Sequence, residues 1–315
     1  MSGWRRHSKA IRLFIGAAVM VFLVWRVGAA PFIAGLRMVD AQALAAALVI
    51  GVITTVCCAW RWRAVSRGLG VEVPMTQATA AYYRSVFLNS TLPGGVVGDV
   101  HRAVQHGQAT GDVGRGVRSV AWERSAGQIV QITITVIALL LLPSPIRSWM
   151  PAALIALLFI GLVAVVLHGS RGRLGDSRPS RILRTAFDDV RSGVLAREAW
   201  PIVIGASVIV VAGHAATFVI AARTAGTDAS TMVLLPLALI VLAAMAIPLS
   251  IAGWGPREGV AAWTFAAAGL GAAAGITTAV VYAVMALVAT LPGAAILLAS
   301  SLRHRAVPTE EVVHG

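Results

Sequence analysis

Charge is scarce in this 315-residue chain. Asp, Glu, Lys and Arg together make up 12% of it, where a soluble domain carries roughly 25%, so the chain cannot clothe a water-facing surface. Lysine is nearly absent: Lys9 stands alone among 26 basic residues. No Gly-Lys-Ser/Thr follows the glycine-rich GVVGD at 95–99, which excludes a P-loop and with it direct drive by ATP. Cysteine is confined to the adjacent Cys57 and Cys58. Neighbours on a helix point in different directions, so a bridge between them would be strained; they read as small packing residues, and no disulfide framework is available. His7, His101, His106, His168, His214, His304 and His314 show no metal-ligand spacing, and Ser250 lacks a G-x-S-x-G setting. No cofactor or metal is expected.

What is present is hydrocarbon: 58% of residues are hydrophobic and the mean hydropathy is +0.82. Several runs reach the roughly 20 apolar residues that span a bilayer. The expected fold is all-α, a polytopic integral membrane helical bundle forming a single membrane domain over 1–315. Spans are expected at about 11–28, 41–60, 124–142, 150–168, 200–222, 231–250 and 275–300, with interrupted apolar segments at 77–98 and 252–271. The start of the chain imitates a secretory signal, with RRHSK before an apolar run and VGAAP at 27–31. Arg26 close to the supposed cut favours an uncleaved first helix.

The net charge of +13 would suggest nucleic acid in a soluble protein. In a membrane protein it marks the cytoplasmic loops, and no nucleic-acid partner is expected. Arg5, Arg6, Lys9 and Arg12, then Arg61, Arg63 and Arg67, then Arg102, Arg115, Arg118 and Arg124, and finally Arg303 and Arg305 fall on one side. The loop 169–199 adds Arg171, Arg173, Arg178, Arg181, Arg184, Arg191 and Arg197. Arg26, Arg37, Arg147 and Arg223 fall on the other. The positive-inside rule therefore places both termini in the cytoplasm of a cell-membrane protein. Parity then requires about eight crossings plus one re-entrant segment; 77–98 is the re-entrant candidate, and 260–271 is expected to cross. Within 169–199, Leu183, Phe187, Val190 and Val194 recur at helical spacing, the pattern of an amphipathic helix on the inner leaflet.

Two stretches break the apolar pattern in the same way. FLNSTLPGGVVGDVHR (87–102) and MAIPLSIAGWGPREGVAAW (245–263) each place a proline at the end of an apolar run, then small residues and spaced glycines, then charge. The first supplies Asn89, Pro93, Gly94, Gly95, Gly98, Asp99 and Arg102. The second supplies Pro248, Ser250, Gly253, Gly255, Arg257 and Glu258. A broken backbone is tolerated in hydrocarbon only where it is buried in protein or lines a wet cavity. Paired interruptions point to a transporter-type binding site, as an internal repeat would place them, and broken ends can present amides to an anion. On this reading Arg102 and Arg257 bind a lipid phosphate, while Asp99 and Glu258 orient them.

An asparagine followed by Leu-Pro-Gly, then Gly-Asp and Arg, resembles the flippase-like membrane domain of lysylphosphatidylglycerol synthases. The later Pro-x-Ser-x-x-Gly-x-Gly-x-Arg-Glu belongs to the same pattern, and Trp122-Glu123-Arg124 resembles its Glu-Arg entry to a helix. The likeness runs over roughly 10–300. The two-domain synthases carry a soluble aminoacyl-transfer domain after the membrane part, and this chain ends a few residues past its last apolar run. The resemblance therefore implies the stand-alone branch, a flippase of an anionic phospholipid or lipid-linked glycan, and not lysine transfer. It adds Glu123 and Arg124 to the candidate substrate-binding residues and names no catalytic one. Two other readings stay open. In one the protein is a lipid-modifying or glycosyl transferase acting on a polyprenyl phosphate, with Asp99, Glu123 and Glu258 as its acids. In the other it is a non-transporting partner of another membrane protein.

Overall fold

The computed structural model describes residues 21, 24, 25, 27–92, 95–142, 178–245 and 255–305. The expected spans at 11–28 and 150–168 lie almost wholly outside these residues, as do Pro93, Gly94, Pro248, Ser250 and Gly253. Every described element is a helix, and no strand occurs among the described residues. In chain order they are α1 (Ala30–Met38), α2 (Ala41–Gly68), α3 (Met75–Thr91), α4 (Val97–Ala109), α5 (Val113–Leu141), α6 (Arg178–Asp189) with a π-helical turn Val190–Val194, α7 (Trp200–Thr224), α8 (Thr231–Ala244), α9 (Pro256–Ala267) and α10 (Ala272–Arg305). The helix starts follow local chemistry. Asp40 caps α2 by accepting from the Ala43 N–H at 2.7 Å, and Asp112 caps α5 through Arg115 N at 2.8 Å, each satisfying an otherwise orphaned amide.

Among the described residues, four helices are long and apolar enough to cross a membrane: Ala41–Gly68, Val113–Leu141, Trp200–Thr224 and Ala272–Ser300. The first and third run antiparallel. At one end Ala43 and Ala46 of α2 lie beside Val219 and Arg223 of α7. Midway, Gly213 is so close that a Cβ there would stand 2.6 Å from Thr54, and at the other end Arg61 reaches Ser207. α5 is antiparallel to α2 as well, with Ser119 beside Trp62 and Ala138 packed on the cluster that holds Ala43 and Ala47. α10 runs parallel to α2. Its Val280 meets Gly35 of α1, its Ala289 meets Gly51 of α2, and its Gly293 packs on Tyr83 and Phe87 of α3.

Between the long helices sit two pairs of short ones. α3 leaves from the arginine-rich end of the bundle where α2 finishes, and α4 doubles back along it to the same end, where α5 begins. Gly98 makes the sharp return possible, because a Cβ there would lie 2.0 Å from the Ser85 carbonyl oxygen. α8 and α9 make the matching excursion from the opposite end. α8 starts where α7 finishes, and α9 ends where α10 begins, next to α1 through the Thr277 hydroxyl on the Pro31 carbonyl. The long–short–short–long order therefore occurs twice, and the second set is turned over relative to the first.

The expected crossings at 231–250 and 260–271 fall on α8 and α9, with 246–250 outside the described residues. At 1.5 Å per residue, α8 with 14 residues and α9 with 12 extend about 21 and 18 Å, against a hydrocarbon core of about 30 Å. The main core gathers around this second excursion, where Phe218, Phe265, Tyr282, Leu234 and Leu237 are buried in one cluster.

Candidate functional site

The first break assembles an ion network from five helices. Asn89 does two jobs at the turn: its side-chain oxygen accepts the Gly98 N–H at 2.7 Å, and its amide donates to Asp99 at 2.7 Å. Asp99 also accepts from Ser85 Oγ at 3.1 Å, from Arg102 at 3.0 Å and from Arg124. Glu123 is fully buried and is held by Arg61 through Nε at 2.9 Å and Nη2 at 2.5 Å, by Arg102 at 3.1 Å and by Tyr82 OH at 3.2 Å. Arg61 continues to Ser207 on α7 at 2.9 Å. Two carboxylates thus face three guanidinium groups. Such charges persist away from water only because partners and further hydrogen bonds offset the loss of hydration.

Arg102 is enclosed at 1% exposure. Its guanidinium lies 4.5 Å from the Trp62 ring centre and 4.2 Å from that of Tyr82, an aromatic clamp that favours a cation in a dry site. Arg102, an expected phosphate-binding residue, is thus packed inside the network. Arg124, the next residue after Glu123, has a side chain 40% exposed and takes the outward position.

The second break closes on itself. Gly255 has φ of +121°, a conformation that favours glycine, and it turns the chain into α9 with Pro256 in the first turn. The Gly255 N–H donates to Glu258 Oε2 at 2.7 Å. Arg257 donates to Glu258 Oε1 through Nε at 2.8 Å and Nη2 at 2.5 Å. Its guanidinium also sits 5.8 Å from the Tyr282 ring centre. The amides of Gly98 and Gly255 are satisfied by Asn89 and Glu258.

Both breaks open on one cavity of about 400 Å³. Asn89, Ser90 and Gly95 line it from the first break, Met245, Pro256 and Arg257 from the second, and Arg124 from α5. His214, Thr217 and Tyr282 complete a polar wall, while Ala47, Ile50, Leu287 and Ala289 make an apolar one. Of the candidates, Asn89, Gly95, Arg124 and Arg257 face this space. Gly98, Asp99, Arg102 and Glu123 stand behind the first break, and Glu258 stands behind Arg257. Sequence reasoning missed Arg61, Tyr82, His214 and Tyr282. Arg61 follows the apolar run directly, where a loop charge is expected; the helix continues to Gly68 and buries it. Among the described residues no group of three or more His, Cys, Asp or Glu could hold a metal. No curated protein matches the chain. The family described as lysylphosphatidylglycerol synthase TM region matches residues 9–293, and the chain belongs to it.

Proposed function

We propose that this member of the lysylphosphatidylglycerol synthase transmembrane family binds an anionic phospholipid or lipid-linked glycan and carries it across the cell membrane. The observation that carries the reading is the shared cavity. Two arginines enter it from different halves of the chain, Arg124 from α5 and Arg257 from α9, and a further part of the lining is apolar. A phosphate suits the first and acyl chains the second, which is the chemistry of a lipid rather than of a soluble anion. In the two-fold arrangement α2–α5 and α7–α10 act as inverted repeats, with α3–α4 and α8–α9 dipping in from opposite faces. Inverted repeats around a midplane site are the common architecture of alternating access. Both termini and the segment 178–199 are cytoplasmic in this reading, because the arginine-rich end faces inward.

Reconstitution in liposomes with fluorescent phosphatidylglycerol tests it. The wild type should move labelled lipid between leaflets, and Arg124→Gln and Arg257→Gln should each reduce the rate at least tenfold with insertion unchanged. Arg37→Ala, at an exposed position in α1, should leave it unaltered. Normal rates in both cavity variants would overturn the site, and a chemically altered lipid would reassign the protein as a transferase. Labelling of residues 70, 111 and 185 from one face, and 227 and 270 from the other, would support the two-sided arrangement.

A further inference from the structure

The cavity holds one group that the proposed transport does not use. His214 lies on α7, and its Nδ1 is 3.2 Å from Tyr282 OH; both line the cavity, and Arg257 lies over the Tyr282 ring. We infer that His214 and Tyr282 are a proton-linked part of the binding site, taking up one proton together with the anionic headgroup. The inference rests on the reading of the cavity as a lipid site.

The chemistry is a reversible hydrogen bond. In neutral His214 with its proton on Nε2, Nδ1 accepts the Tyr282 hydroxyl proton. A proton from water added at Nδ1 makes an imidazolium that donates to the phenol oxygen, and the Tyr282 O–H turns to donate elsewhere. One proton therefore adds a positive charge and frees a hydroxyl donor in the same cavity. A phosphodiester placed there is drawn to both, and by linkage the bound anion favours the protonated state.

The surrounding ionisable groups leave this role to His214. Cys58 and Arg61 on α2, Tyr82 on α3, Glu123 and Arg124 on α5, Arg257 and Glu258 on α9 and Tyr282 on α10 are the ionisable groups on this part of the neighbouring helices; the described part of α8 has none. Both carboxylates are bound to arginines. Of the side chains that line the cavity, His214 is the one whose type ordinarily titrates between pH 5 and 8. His101 and His106 on α4 line no part of it.

Binding of dihexanoyl phosphatidylglycerol to the purified full chain in detergent tests the inference, since its phosphodiester keeps one charge from pH 5.5 to 7.5. A nearby opposite charge favours the imidazolium, so binding should be at least about twofold tighter at pH 5.5 than at pH 7.5. Calorimetry in two buffers of different ionisation heat should register proton uptake on binding. His214→Gln should bind equally at both pH values, and Tyr282→Phe should narrow the ratio. Binding by the wild type that is independent of pH, with no proton uptake, overturns the inference and leaves the lipid site standing. A pH ratio that persists in His214→Gln also overturns it. No binding at either pH overturns both. Glycerophosphoglycerol, the same headgroup without chains, should bind at least tenfold more weakly; equal binding would make the ligand a soluble phosphodiester.

Discussion

The two breaks use charge in opposite ways. At the first, Arg61, Asp99, Arg102, Glu123 and Arg124 tie α2, α3, α4, α5 and α7 into one lattice of hydrogen bonds. At the second, Arg257 and Glu258 are neighbours on α9 and pair with each other, and Arg257 also lies over Tyr282 of α10. A charge shared among helices resists any motion that separates them. A pair between adjacent residues is kept however its helix sits. The ion network of the first break therefore depends on how five helices are placed, and the Arg257–Glu258 pair does not.

The largest effect should come from cutting the lattice at its centre. Glu123→Gln removes the charge that holds Arg61 and Arg102 together, and breaking such a buried pair costs about 3–5 kcal/mol. The variant should fail to yield a monodisperse protein by size exclusion, whereas Glu258→Gln should remain folded. If the two behave alike, the contrast between the breaks is lost. Next come the glycines. Gly98→Ala drives a Cβ into the Ser85 carbonyl and should cost about 1–3 kcal/mol, as overpacking does, seen as a lower melting temperature. Gly255→Ala strains one positive-φ residue and should cost about 1 kcal/mol. A larger loss at Gly255 than at Gly98 would reverse this order. Ser207→Ala takes one acceptor from Arg61 and leaves Glu123 in place, so about 1 kcal/mol is expected. Arg67→Ala should change melting within error. Its contact with Glu72 is 3.9 Å long between side chains 51% and 85% exposed, and exposed pairs contribute little.

Both breaks were legible because proline, spaced glycines and a charge do not belong together in a plain span, and Asp99, Glu123, Arg124, Arg257 and Glu258 do gather around them. Which arginine faces the cavity was not legible. Glu123 and Arg124 are consecutive, so their side chains point about 100° apart on the helix. The phase that turns one inward and the other to the cavity is set by packing against α2 and α4. Helix length was hidden for a related reason. Hydropathy counts apolar residues, and α8 is strongly apolar, yet it runs for 14 residues only. His214 gave no signal of its own, since the Tyr282 that meets it lies 68 residues away.

The separation between partners in the lattice also sets an order of assembly. Arg61 leaves the ribosome 62 residues before Glu123 and 146 before Ser207. At about 5–20 residues per second, α2 waits roughly 3–12 s for its counter-ion. It must hold Arg61 near the membrane surface until α5 arrives. Nascent chains ending after α5 can already neutralise every buried charge of the first half, and those ending before Glu123 cannot. The neutralisation of the first half therefore waits on the translation of a single glutamate.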